Sequence, residues 1–479
     1  NIWDKELSKI RIEGGKEDDR ITFYTALYHA YSAPNIYCDV DGKYRARDLE
    51  NYENPQHTTY TVFSLWDTYR AAHPLYTIVQ EKRTLDFIKT FLDQYKKGGA
   101  LPMWELSANE TMCMIGYHSV PVIVDAYFKG IKDFDLELAL EAMISVAKTD
   151  ELGKAEFAKY GYIPLDMEHE SVSKALEYAF DDWCIAMFAK DLGKQDVYEE
   201  FIERAQFYKN VFNPKNGFMQ SKLNAAWQEP FDPKEVNFNF TEANSWQYSF
   251  YVPQDIMGFI ELHGGNEKFA KKLDEMFSEE SQTSGNHQVD ITGLIGQYAH
   301  GNEPSHHMAY LYNYCGKPWK TQAMARKIMS ELYSAQPDGL CGNEDCGQMS
   351  AWYVLSAMGF YPVNPANGVY DLGSPLFDKA TIQLENGRHF EIIAHDNSEK
   401  NIYVKEVKLN GRKYKKSYIC HADIMKGGKL EFFMASEPET NRATEAKDIY
   451  QSQITENIIT PVPFTNVPFR SFRDEVELT

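Results

Sequence analysis

The sequence predicts a mainly α fold. The expectation is an (α/α)6 toroid over residues 1–365, then a linker, a small antiparallel β element and a surface-packed tail over 366–479. Three observations predict it. Apolar residues recur at i, i+3, i+4 and i+7 in roughly a dozen segments between residues 18 and 360, the signature of helices. Those segments alternate between ones apolar all round, which belong inside, and striped ones, which belong outside. Beyond Phe360 the hydrophobic period drops to two, as in half-buried strands.

In order, the helical segments include ITFYTALYHAYS (21–32), TLDFIKTFLDQY (84–95), VPVIVDAYFKGI (120–131), SKALEYAFDDWCIAMFAKDLG (173–193), DVYEEFIERAQFYKNVF (196–212), SFYVPQDIMGFIELHG (249–264), FAKKLDEMF (269–277), HMAYLYNYCG (307–316), TQAMARKIMSELY (321–333) and GQMSAWYVLSAMGF (347–360). Segments 120–131 and 347–360 are the apolar, inner kind, and 196–212 and 321–333 the outer kind. Gly193, Gly264 and Gly316 stand where C-terminal cap glycines belong. An irregular helical bundle is the alternative. YPVNPANGVYDLGSP (361–375) is the linker. The alternating runs after it, with Asn-Gly turns at 386–387 and 410–411, read as hairpins over 376 to 436.

The 479 residues exceed one ordinary core. A net charge of −21 disfavours nucleic acid and anionic membrane surfaces as partners, because both would repel the chain. No apolar run is long enough to span a bilayer. Aromatics make up 14%, with 31 Tyr, which suits either sugar stacking or a large aromatic core. The seven cysteines show no zinc or redox spacing. The chain opens Asn1-Ile2-Trp3, so the expectation is a removed leader or a piece of something longer.

Four stretches carry candidate chemistry. In VFSLWDTYRAAHP (62–74), Asp67 and Arg70 lie three apart beside Trp66. They read either as a buried ion pair or as a sugar-gripping carboxylate with a stacking indole. In NFTEANSWQYSFYVPQD (239–255), Glu242 lies between Phe240 and Trp246. Apolar surroundings raise a carboxyl pKa and make a general acid, and a helix-end carboxylate is the alternative. YAHGNEPSHHMAY (298–310) crowds His300, Asn302, Glu303, His306 and His307 into one loop. It reads as a polar loop or as a ligand set whose oxygens suit calcium better than zinc. In CGNEDCGQMSAWYV (341–354), Glu344 and Asp345 precede a buried helix that needs one cap, leaving a surplus carboxylate for function. LDMEHESVS (165–173), with Asp166, Glu168, His169 and Glu170, and MWELSANE (103–110), with Trp104 and Glu105, read more simply as polar loops. Two carboxyls brought from distant loops into one aromatic pocket suit glycoside hydrolysis.

At these residues the chain resembles the calcium-dependent α-mannosidases of glycoside hydrolase family 92. The matching stretches are TFYTALYHAYSAPNIYCDVDGKYR (22–45), YTVFSLWDTYRAAHPLYTI (60–78), GYHSVPVIVDAYFKG (116–130), HESVSKALEYAFDDWCIA (169–186), AHGNEPSHHMAYLYNYCGKPWKTQ (299–322) and GLCGNEDCGQMSAWYVLSAMGFYPV (339–363). The resemblance implies an exo-acting, inverting enzyme that removes terminal α-linked mannose, with α-1,2 bonds first in expectation. It implies an (α/α)6 catalytic domain and a Ca²⁺ that holds the sugar's 2- and 3-hydroxyls. Glu242 matches the general acid and Asp345 the general base, expected about 6.5–9.5 Å apart as inversion requires. Trp66, Asp67, Arg70, His300 and Glu344 are expected to meet substrate, and Asn302 and Glu303 the metal. It also implies an N-terminal β-sandwich, absent from this chain, that helps to build the cleft, and an exported enzyme acting on mannose-containing glycans. Another (α/α)6 glycosidase or phosphorylase, or a non-catalytic glycan-binding protein, is the competing expectation.

Overall fold

The computed structural model describes residues 2–53 and 56–464; residues 465–479 of the expected tail lie outside them. The chain is about 39% helical and 17% strand, so it is mainly α as expected, but the sheet is larger than a small appendage.

The inner helices are buried almost throughout: every residue of Gln348–Met358 is buried, and of Ser119–Phe128 only Phe128 is exposed, as their largely apolar composition requires. The helices Glu81–Gly98, Gln195–Arg204 and Asn266–Ser278 bury one stripe and carry charge on the other. Gly193, Gly264 and Gly316 all take positive φ, as C-terminal stops do. Three segments fall short of the expected helix: 196–212 is regular helix only through Gln195–Arg204, followed by the 3-10 turn Phe207–Asn210 and the strand Phe212–Asn213. Pro253 supplies no N–H to a ladder, and regular helix begins only at Ile256–Leu262. Met308–Asn313 winds as a 3-10 helix.

The helix Ser171–Asp191 crosses the core. Its Lys174, Glu177, Asp181 and Asp182 are all buried, and buried charge persists only when paired. Lys174 pairs with Glu168 (2.7 Å), Glu177 with Arg70 (3.1 Å), Asp181 with His118 (2.8 Å) and Asp182 with Arg204 (2.7 Å).

The C-terminal sheet has six strands, ordered Ile10–Glu13, Lys379–Gln383, His389–His395, Gly428–Ala435, Tyr403–Leu409, Arg412–Lys413. Two features correct the sequence reading. The first strand comes from the N-terminal end of the chain, pairing Ile10 with Ile382. The pair His389–His395 and Gly428–Ala435 runs parallel in an otherwise antiparallel sheet. The Asn410-Gly411 turn forms as expected, with both residues at positive φ and Leu409 opposite Arg412. Residues 450–464 return along the helices, where Asp255 accepts from the Ile454 N–H at 3.0 Å and Asn210 from that of Val462 at 2.7 Å.

Candidate active site

Three of the four candidate stretches converge. Asp67, Glu303 and Asp345 each present a carboxylate oxygen within 4.8 Å of the others. Asp67 sits on the short helix Leu65–Thr68, where the Ser64 hydroxyl donates to its Oδ2. Glu303 opens the 3-10 turn Glu303–Ser305. Asp345 lies just before the helix Gln348–Met358. Two glycines let the last two loops touch: a Cβ on Gly342 would collide with the Gly301 carbonyl oxygen.

The backbone around these carboxylates is strained. Val62, Glu242, Asp345 and Cys346 have φ of 68°, 47°, 50° and 54°. A side chain in that left-handed region costs about 1–3 kcal/mol and clusters at functional sites. At 345 and 346 the strain reverses the chain so that adjacent carboxylates diverge. Glu344 Oε2 accepts from the Gly347 N–H at 2.6 Å, so Glu344 is the residue that caps the helix. Its side chain lines a cavity of about 530 Å³ with His29 and Ser350. Asp345 is the surplus carboxylate, and it joins Asp67 and Glu303.

The fourth stretch is tied to the cluster by Asn302. Its Nδ2 donates to both the main-chain oxygen (3.1 Å) and Oε2 (3.2 Å) of Glu242, and its Oδ1 accepts from the Glu303 N–H (3.3 Å). Asn302 thus orients the candidate acid from the loop that carries Glu303.

Burial and mutual repulsion set the protonation here. Glu242 is pushed up to about 7, by burial first and then by the charges of Asp290 and Asp345, against the Asn302 bond. Burial, then the charge of Asp345, holds Asp67 well above the carboxylate range. Burial, then Asp67 and Asp345, does the same to Glu303. Burial raises Asp345 too. Asp290 was missed in the sequence; it lies in a polar loop with nothing to single it out and accepts from Asn343 at 3.0 Å.

The remaining expectations fare differently. Trp66 is buried under the Arg70 guanidinium (5.3 Å), and its indole N–H meets no acceptor among the described residues. Arg70 is 5% exposed; it pairs with Glu177 and not with Asp67, and lies over Tyr69 and Tyr251. The pairing with Asp67 that the spacing offered is therefore not made. His300 is fully buried, with its Nδ1 and Nε2 each 2.7 Å from a hydroxyl, those of Tyr298 and Tyr333. Glu105, read as part of a polar loop, lies fully buried on the strand Trp104–Leu106, where it accepts from Thr61 at 3.0 Å and burial pushes it up to about 7.

The carboxylate cluster fits a calcium ion. Neither oxygen of Glu303 has a hydrogen-bond partner among the described residues, although the residue is fully buried. A buried carboxylate without a partner is costly unless a cation meets it. Calcium binds oxygens at about 2.3–2.6 Å, so two of its ligands are at most about 5 Å apart, and the cluster meets that limit with hard donors only.

A buried carboxylate cluster with an adjacent protonatable acid, on a mainly helical scaffold, defines a hydrolase-type site for a polar, hydroxylated substrate. The comparisons place it more narrowly. The glycosyl hydrolase family 92 catalytic domain matches residues 1–436, and the chain belongs to that family. A family GH92 α-mannosidase of Bacteroides thetaiotaomicron is 44% identical with a TM-score of 0.89, over 94% of this chain and 60% of that one. Its complex with mannoimidazole aligns at 41% identity and TM-score 0.90, over 99% and 63%. An inverting GH92 mannosidase of B. thetaiotaomicron VPI-5482 is 37% identical with a TM-score of 0.87, over 94% and 64%. An uncharacterized secreted glycosidase of Arthroderma benhamiae is 27% identical over 495 residues, 94% of this chain and 57% of that protein. The chain thus spans under two thirds of the length of each of these relatives.

Proposed function

We propose that this chain is the catalytic part of an exported, calcium-dependent, inverting exo-α-mannosidase built on an (α/α)6 toroid. The observation that carries this reading is the meeting of Asp67, Glu303 and Asp345 within 4.8 Å, with Glu242 bonded to the same loop. Family membership and the mannosidase relatives support the substrate class. The secreted relative supports export, and among the described residues no helix is long and apolar enough to cross a membrane.

Glu242, kept protonated to about pH 7 by burial, donates its proton to the departing glycosidic oxygen. Asp345 accepts a proton from the water that attacks the anomeric carbon from the opposite face. Asp67, Glu303 and Asp345 would hold the cation. Calcium, when bound, supplies the positive charge that anchors the sugar's vicinal hydroxyls. The unpartnered Trp66 N–H supports that indole as a donor to the same sugar. Other family 92 chemistry on a different α-linked sugar is the competing reading.

The test is release of mannose from α-1,2-, α-1,3- and α-1,4-linked mannobiosides, with and without a chelator. Activity lost in chelator and restored by calcium supports the reading. Activity indifferent to chelator, or directed only at glucosides, overturns it.

A further inference from the structure

The three carboxylates of the cluster come from segments far apart in the chain, and one uncharged side chain joins those three segments. Gln348 is fully buried in the first turn of the helix Gln348–Met358, three residues after Asp345. Its Oε1 accepts from the N–H groups of Ala71 (2.9 Å) and Ala72 (3.2 Å). Those N–H groups open the helix Ala72–Val79, four and five residues after Asp67. Ala71 has no side-chain acceptor to cap that helix, so its first donors depend on Gln348. The Gln348 Nε2 lies 3.0 Å from His306 Nδ1, three residues after Glu303.

The bonding fixes the amide's orientation. His306 Nε2 lies 2.9 Å from the His300 carbonyl oxygen, so that nitrogen carries the ring proton and Nδ1 is a lone pair. Nδ1 therefore needs a donor, and the two backbone N–H groups at the other end need an acceptor. Only a primary amide of this length offers both. Trp352, one turn on, donates its indole N–H to the His306 carbonyl at 2.8 Å and holds the same loop from the same helix.

We propose that Gln348 is a positioning residue that sets the mutual spacing of Asp67, Glu303 and Asp345, and through it the affinity of the cation site. This inference rests on the calcium reading above. It assigns Gln348 no contact with substrate. Outer partners of metal ligands typically govern affinity by about 10–100-fold.

The test is calcium affinity of the full chain by calorimetry, with terbium luminescence as a second probe, beside kcat and KM for an aryl α-mannoside. Gln348→Met keeps the volume and removes both ends of the bridge. The calcium Kd is expected to rise by about 10–100-fold, with KM little changed and kcat restored at saturating calcium. If that variant does not fold, Gln348→Asn is read the same way, since it keeps the amide but is one methylene too short to reach both sides. A folded variant with lowered melting temperature and unchanged Kd overturns the inference, as does a kcat deficit that saturating calcium leaves in place. A native chain that releases mannose without binding calcium overturns the calcium reading as well, and titration of the native chain alone separates that failure from the other two.

Discussion

Asn302 donates from its Nδ2 to Oε2 of Glu242 at 3.2 Å, joining the candidate acid to the loop that carries Glu303. That bond favours the carboxylate form of Glu242, and burial outweighs it to bring the group to about 7. Glu242 is therefore protonated, and competent as an acid, below about pH 7. The alkaline limb of kcat/KM is expected there, with activity lost as pH rises through it. Asn302→Ala removes a bond that stabilises the charged form, so the limb should move to higher pH. A pH–rate profile of both proteins checks the sign, and a limb that moves lower would remove Asn302 from this role.

Glu242→Gln keeps shape and polarity but carries no transferable proton. Turnover of an unactivated mannobioside is expected to fall by roughly 10²-fold or more, with substrate binding retained. Single-turnover kinetics beside binding calorimetry separate the two quantities. Unchanged mannose release would take Glu242 out of the mechanism.

Calcium and protons compete for the same oxygens. Burial first, and mutual repulsion second, hold Asp67 and Glu303 well above the carboxylate range when no cation is bound. Calcium binding must then release protons, and affinity must rise with pH. Calorimetry in two buffers of different ionisation enthalpy measures the release. Affinity that does not change with pH would contradict the cluster as a ligand set.

Beneath the site, Arg70, Glu177, His118 and Asp181 form a buried array of alternating charge. Burial alone would raise Glu177, but Arg70 and His118 outweigh it and bring it down to about 2. Burial alone would lower His118, but Asp181 and Glu177 outweigh it and bring it up to about 9. The Glu177 contribution to stability is present above its ordinary 4.5 and is lost as pH falls toward 2. The His118 contribution is full below its ordinary 6.5 and is lost as pH rises through 9. Urea unfolding should find the array's support greatest between those two ordinary values. Glu177→Ala strands Arg70 and should cost about 3–5 kcal/mol.

The helices were legible because their apolar period and glycine stops are local signals, as Gly193 and Gly264 show by ending Ser171–Asp191 and Ile256–Leu262. The sheet was less legible, because its first strand, Ile10–Glu13, pairs with residues some 370 positions away. Within the site, each carboxylate gave its own local signal: Asp67 beside an indole, Glu242 between aromatics, Glu303 in a crowded polar loop and Asp345 as a surplus beside a helix cap. Their grouping was not legible, since it depends on loop contacts such as Gly301 against Gly342. The doublet Glu344-Asp345 shows the limit of local reading. Composition showed one carboxylate too many for a cap, but the left-handed turn at 345 decided that Glu344 caps. His300 looked like a ligand because its loop is polar; the tyrosines that bond it, Tyr298 and Tyr333, gave no sign of doing so in sequence.

The account turns on Glu242 and Asp345 acting from opposite faces of one sugar. The most direct measurement is the anomeric configuration of the first mannose released from an aryl α-mannoside, followed by proton NMR before mutarotation. The account predicts β-mannose as the initial product. Initial α-mannose would require a covalent intermediate on one of the carboxylates, and would contradict Asp345 as a base acting on water.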